Sequence, residues 1–256
     1  MGMRGWMTGI GGLAVVALLW WASAAQAGEA ATPEELKAGR FIYVRACANC
    51  HGDQGKGDGV AAPLLDPRPR DFTKGLFKFR TTASGVIPTL DDLARTVTHG
   101  LTGTAMGQWG ELSTKDRRAV LLYIQTFSDR FKTETATPIK IPAQPPFSLD
   151  AVKRGAKWYT EAECNKCHGT EGRGDGPSAN ELKDDWEKRP IRPTDLTQGH
   201  RFKRGSSPQD IYLTLFTGLA GTPMPSYADT LENAGQEWDL VYYVYWLSQG
   251  KRVAAK

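Results

Sequence analysis

Two stretches of this chain, 37–61 and 153–178, are near copies: KAGRFIYVRACANCHGDQGKGDGVA and KRGAKWYTEAECNKCHGTEGRGDGPS. Both carry Lys-x-Gly, an aromatic residue, Cys-x-x-Cys-His-Gly, then Gly-basic-Gly-Asp-Gly. The likeness continues downstream. RDFTKG (70–75) lies over TDLTQG (194–199), and GLTGTAMGQW (100–109) over GLAGTPMPSY (218–227). Each copy closes on an amphipathic run, RAVLLYIQTFS or DLVYYVYWLS. A period of about 117 residues is too long for a solenoid unit, so each copy has to be a domain with its own core. The domains are read as 28–132 and 148–256, joined by a proline-rich, semi-extended linker at 133–147, TETATPIKIPAQPPF.

Within each copy the signals are helical. Thr32-Pro33-Glu34-Glu35 combines an N-cap threonine, a proline at the first helical position and a capping-box glutamate; it predicts a helix running into Cys47. TLDDLARTVTHGL and SPQDIYLTLFTGL each begin on Thr or Ser, carry Asp three residues on and stop at Gly. STKDRRAVLLYIQTFS and GQEWDLVYYVYWLSQ predict the last helices, and alternating strand patterns are scarce. The fold class is therefore all-α. Domains of roughly 100 residues sit near the lower end of what an apolar core alone stabilises well, so something further should fill each centre.

Residues 1–27 read as a signal peptide. Arg4 is their only charge, GIGGLAVVALLWWASA is apolar, and AQA at 25–27 suits a signal peptidase. Cleavage after Ala27 makes the mature chain periplasmic; the alternative is an uncleaved segment anchoring it to the inner membrane. The segment has no twin arginine and no cysteine, so neither a Tat signal nor a lipoprotein anchor is supported. The formal net charge of +4 is too small to argue for nucleic acid, and no basic tract accompanies it.

All four cysteines lie in the two motifs, as Cys47 with Cys50 and Cys164 with Cys167. A thioredoxin-like dithiol needs a βαβ setting, which is absent. A structural zinc ion needs four ligands; two pairs could meet across the domains, but each motif occupies the same place in its own repeat. A covalently attached haem uses the whole pattern. The thiols bond the vinyl groups and the adjacent histidine, His51 or His168, ligates the iron. The secretory signal agrees, and the haem supplies the missing core.

On these motifs each half resembles a class I cytochrome c domain. The whole resembles a tandem dihaem cytochrome c of the bacterial periplasm, over about residues 32–250. The resemblance implies two domains, each wrapping one haem c in about four helices with one haem edge exposed. The sixth ligand then decides the chemistry. Met106 follows His51 by 55 residues and Met224 follows His168 by 56, both in the frame Gly-Leu-x-Gly-Thr-x-Met. The only other methionines are Met1, Met3 and Met7, leaving two for two haems; Met106 and Met224 are read as axial ligands rather than ordinary core methionines. His99 and His200 are not repeated and are read as surface or supporting residues.

In this family a proline carbonyl beyond the motif often accepts the haem histidine's second N–H. Pro63 is the candidate in the first copy; the second has Pro177 nearer and Asn180 at the matched spacing. Arg68, Arg70, Arg80, Arg189, Arg192 and Arg204 lie in loops that could reach the propionates, or form a solvated basic surface. Trp109 and Tyr227 are expected on the haem wall or as propionate donors, and Tyr245 and Trp246 in helix–helix core. The glycine-rich loops follow no strand and lack the Walker lysine-serine pair; they read as turns near the haem edge, not phosphate cradles.

The function expected is electron transfer in a respiratory chain, with Fe(III)/Fe(II) cycling at two His/Met haems, redox protein partners and no enzyme activity. Two alternatives stand beside it. A dihaem enzyme such as a peroxidase needs an open axial site, against which matched methionines argue. A permanent cytochrome subunit of a membrane-bound respiratory oxidoreductase is suggested by PRDFTKGLFKFRTT, which looks like the longer loop of such cytochromes.

Overall fold

The computed structural model describes residues 31–185 and 188–252. The expected signal peptide (1–27) and its cleavage point lie outside them. The described residues hold nine α-helices, three 3₁₀ turns and no strands, only two isolated bridges. None of these helices is long and apolar enough to cross a membrane.

The first copy contains α1 (Pro33–Ala46), α2 (Ala48–His51), α3 (Leu90–His99), α4 (Thr114–Gln125) and the short α5 (Arg130–Thr133). The second contains α6 (Leu149–Glu161), α7 (Cys164–His168), α8 (Pro208–Thr217) and α9 (Ala234–Ser248). Their starts follow from local chemistry. The Thr32 hydroxyl accepts from Glu35 N–H while the Glu35 carboxylate accepts from Thr32 N–H, and Thr89 with Asp92 repeats the box at α3. Ser207 caps α8 and Asn233 caps α9.

The first and the last long helix of each copy cross: α1 packs on α4, and α6 on α9. The repeated Lys-x-Gly makes the crossing possible. A Cβ on Gly39 would stand 2.1 Å from the Ala119 carbonyl oxygen, and one on Gly155 1.9 Å from that of Asp239. The first core gathers Tyr43, Phe72, Phe77, Leu93, Val120 and Leu121; the second is built on Tyr159, Phe216, Trp238, Leu240 and Tyr242. Tyr245 and Trp246 pack, partly buried, against that second core.

Residues 134–148 have no regular structure, yet they are held on both sides. Ile139 N–H donates to Thr81 O (2.8 Å), beside a bridge between Thr82 and Pro138. The side chains of Ile139 and Ile141 pack on the second core, and the Tyr242 hydroxyl donates to the Pro145 carbonyl.

The copies also touch directly. Arg80, fully buried, donates to Phe77 O, Ala83 O and, across the seam, Thr217 O (2.5 Å), where the negative end of α8 suits a cation. Arg204 donates to Arg80 O (2.9 Å), and Arg95 to Arg204 O and Asp210 (both 2.8 Å). This corrects the expectation for Arg80: its guanidinium is neither solvated nor free, because three backbone carbonyls occupy it.

Candidate functional site

α1 ends where Cys47 N–H donates to Tyr43 O, and Cys50 and His51 N–H then close on Cys47 O. Cys47, Cys50 and His51 thus stand at i, i+3 and i+4 and share one helical face. Cys164, Cys167 and His168 repeat the spacing. Between α6 and α7 the second copy inserts Glu163, in the left-handed region at φ 59°, so that the turn keeps its shape.

All four thiols are free. Burial pushes Cys47 and Cys164 up to about 11, opposite to the lowered thiol of a redox Cys-x-x-Cys. The described residues hold no group of three or more His, Cys, Asp and Glu side chains placed to bind a metal ion, as an all-protein zinc site would require.

Each histidine is aimed by a backbone carbonyl. His51 Nδ1 lies 3.0 Å from Arg70 O, and His168 Nδ1 3.0 Å from Thr194 O. With the Nδ1 proton held there, Nε2 keeps its lone pair for a metal. Burial lowers both imidazoles from their ordinary value, which favours the neutral form. The acceptors overturn the Pro63 assignment, and that of Pro177 or Asn180. The prolines that matter are Pro69 and Pro193, directly before the accepting residues, in a repeated Pro-x-Asp-x-Thr. In both copies the Asp Oδ1 accepts from the Thr N–H (2.9 Å) and hydroxyl (2.6 Å), fixing the turn that presents the carbonyl.

Two further contacts are duplicated. Tyr43 OH donates to Gly52 O and Tyr159 OH to Gly169 O, each at 2.7 Å. The glycine-rich loops fold back on the histidines, with Gly57 N–H on His51 O and Gly174 N–H on His168 O. Gly52 and Gly169 are required: at φ 76° and 77° a Cβ would meet the Asp58 or Asp175 carboxylate at 2.0 and 1.9 Å.

The methionine loops match as well. Leu101 N–H donates to Met106 O and Leu219 N–H to Met224 O, while the Thr104 and Thr222 hydroxyls accept from the methionine N–H groups. Both methionines are half-buried; His99 and His200 are exposed. Trp109 N–H is tied to Val97 O and Tyr227 N–H to Leu215 O, and the Tyr227 hydroxyl faces the Cys164 thiol.

These residues fit a haem. The paired thiols suit two vinyl groups and the open Nε2 suits the iron. The buried Nε atoms of Arg68 and Arg204, without partners among the described residues, suit carboxylates at a haem rim. Burial also lowers Lys78 to about 8, helped by Arg70 and Lys203, an excess of positive charge that an anion would relieve. Arg192 instead donates to Asn180.

Two such sites on two helical domains make this a tandem protein of the cytochrome c class. The family described as cytochrome c oxidase, cbb3-type, subunit III matches residues 34–124 and again 150–244, and the chain belongs to that cytochrome c family. Among solved structures it is similar to a chain of the Kuenenia stuttgartiensis reducing HAO-like protein complex Kustc0457/Kustc0458. The two are 42% identical with a TM-score of 0.79, over 83% of this chain and 96% of that one. Comparison with curated proteins gives no significant match. The family implies electron transfer.

Proposed function

We propose that the protein is a periplasmic electron carrier with two covalently attached haems. Cys47 and Cys50 hold the first, ligated by His51 and Met106; Cys164 and Cys167 hold the second, ligated by His168 and Met224. The observation that carries this reading is the duplicated histidine geometry, with Nδ1 at 3.0 Å from a carbonyl in both copies. Bound haem supplies one-electron Fe(III)/Fe(II) exchange. The chain attaches it, keeps each imidazole neutral and oriented, and presents a thioether as the sixth ligand. With a histidine and a methionine both supplied to each haem, no position would be left for substrate, which favours carriage over a peroxidase-like activity. Methionine ligation also raises the potential.

The similar Kuenenia chain belongs to a complex with an HAO-like protein. We read the partner here as a larger redox protein of that kind, bound as a subunit or visited by diffusion. An optical and EPR redox titration of the purified protein tests the central claim. Two low-spin haems with the near-infrared sulfur-to-iron band are expected; one haem, or a bis-histidine spectrum, overturns it.

A further inference from the structure

We propose that the first domain docks its redox partner through an apolar patch around the Cys47–Cys50 turn, rimmed by unpaired basic residues, and that the occupant is a protein surface with an apolar centre and acidic rim. The proposal rests on the carrier reading above, and names the face at which electrons pass.

Single exposed apolar side chains are ordinary, but a group of them around one feature marks an interaction site. Four large apolar residues in the first domain are exposed: Phe41 (63%), Val44 (48%), Val60 (82%) and Leu64 (87%). Phe41 and Val44 stand at i and i+3 on α1, and Val44 comes one turn before Cys47. Val60 lies in a segment strapped to α2, because Gly59 N–H donates to Cys50 O (3.2 Å) and Ala61 N–H to Asn49 O (2.9 Å). Leu64 ends the 3₁₀ turn Ala62–Leu64, which packs on α2. The aligned residues of the second domain are Lys157, Thr160, Pro177 and Glu181, so the second attachment turn has no such patch.

The charges differ in the same sense. Residues 36–52 contain Lys37, Arg40 and Arg45 and no acidic residue. All three are exposed, and none forms an ion pair among the described residues; Arg45 lies over the Phe41 ring at 5.2 Å. The nearest acids beyond the motif, Asp53 and Asp58, flank Lys56 on the glycine loop. On α6 and α7 every cation is neutralised: Lys153 by Asp150 (3.3 Å), Arg154 by Asp239 (2.7 Å), Lys157 by Glu161 (3.4 Å) and Lys166 by Glu163 (2.6 Å). Exposed pairs stabilise little, so this difference does little for the fold. It changes what each face attracts. Open cations around an apolar centre steer and orient an acidic partner, and the same cations oppose pairing with a second copy of this chain.

The test uses the haem-loaded mature protein and gold electrodes bearing a mixed monolayer of carboxylate- and methyl-terminated thiols, a mimic of the proposed surface. Mass uptake and voltammetric current are read together. Wild type should bind, and uptake should weaken with ionic strength. Phe41→Ser/Val60→Ser/Leu64→Ser should lose about tenfold in affinity. Arg40→Glu/Arg45→Glu should lose a similar factor together with the ionic-strength dependence. Lys153→Glu/Lys157→Glu, the same change in the second domain, should move binding less than about twofold. Equal losses in both domains, or no loss in the first, overturn the proposal. So does a dimer in sedimentation that the serine variant dissociates, since the occupant is then a second copy. Binding without current leaves the docking face standing and removes the carrier reading. Current at a bare electrode without patch-dependent binding does the reverse.

Discussion

In the first domain the motif histidine rests on an aromatic ring: His51 and Phe72 stack at 4.4 Å with planes 19° apart. In the second, Leu196 occupies that place, and the backbones agree, since Phe72 N–H donates to Gly55 O and Leu196 N–H to Gly172 O. Phe72 continues into Phe77 and Phe127. The second domain's aromatic residues gather elsewhere, as Tyr212, Phe216 and Trp238 between α8 and α9. The hydrogen bonds that aim the histidine, close the attachment turn and shape the methionine loop recur in both halves, while the walls and outer faces do not. If these residues hold haem as proposed, geometry around the iron would tolerate little change, leaving packing and surface free to set potential and partner.

The largest test of the shared frame is at the helix crossings. Gly39→Val and Gly155→Val each drive a side chain into a backbone carbonyl, at an expected cost of about 3 kcal/mol or more. Each variant should carry one haem per chain, read by absorbance against protein mass. A variant that keeps both would show that its crossing can relax. Next, Met106→Ala and Met224→Ala should each remove half of the near-infrared band; loss from only one position would break the likeness at the sixth ligand. Phe72→Leu gives the first domain the second's wall. It should lower stability by about 1–2 kcal/mol and bring the first haem's potential toward the second's, with the second unmoved. If both potentials shift, the wall is not local.

Acid should treat the domains alike. Before haem is attached, burial depresses both imidazoles, so the unfolded chain binds more protons than the folded one near 6.5. Their contribution to stability is complete above that value and is lost as pH falls below it toward the depressed folded values. Melting temperature of the haem-free chain against pH should show one common decline, and two separated acid steps would distinguish the sites. The smallest expected difference is electrostatic. Residues 28–132 hold 15 Lys and Arg against 12 Asp and Glu, and residues 148–256 hold 15 of each. Positive charge favours the reduced iron, so the first haem should have the higher potential. The margin should be modest, since exposed charges beyond about 10 Å are screened at 0.1 M salt. The titration assigns the order, with the methionine variants identifying each haem; a higher second haem would show that local environment outweighs net charge.

Helix starts were legible in the sequence because a cap is a local event: Thr32, Thr89 and Ser207 announce α1, α3 and α8 within four residues. The attachment turns and methionine frames were legible because they occur twice. The histidine's acceptor was not. It lies 19 residues on in the first copy and 26 in the second, across loops of unequal length, so matched spacing pointed to Pro63 and Asn180. The repeated Pro-x-Asp-x-Thr was the signal that could have found it. The fate of Arg80 depends on how the domains meet, which no pattern within either copy encodes.

The segment between the copies has a consequence for the rate at which they exchange electrons. Ile139 gives its N–H to the first domain and its side chain to the second, so it acts as a rivet rather than a tether. With a haem bound in each domain as proposed, the tunnelling gap would then be set by packing and not by diffusion of one lobe toward the other. Exchange within the chain should be indifferent to solvent viscosity, whereas delivery to an outside acceptor should slow as viscosity rises.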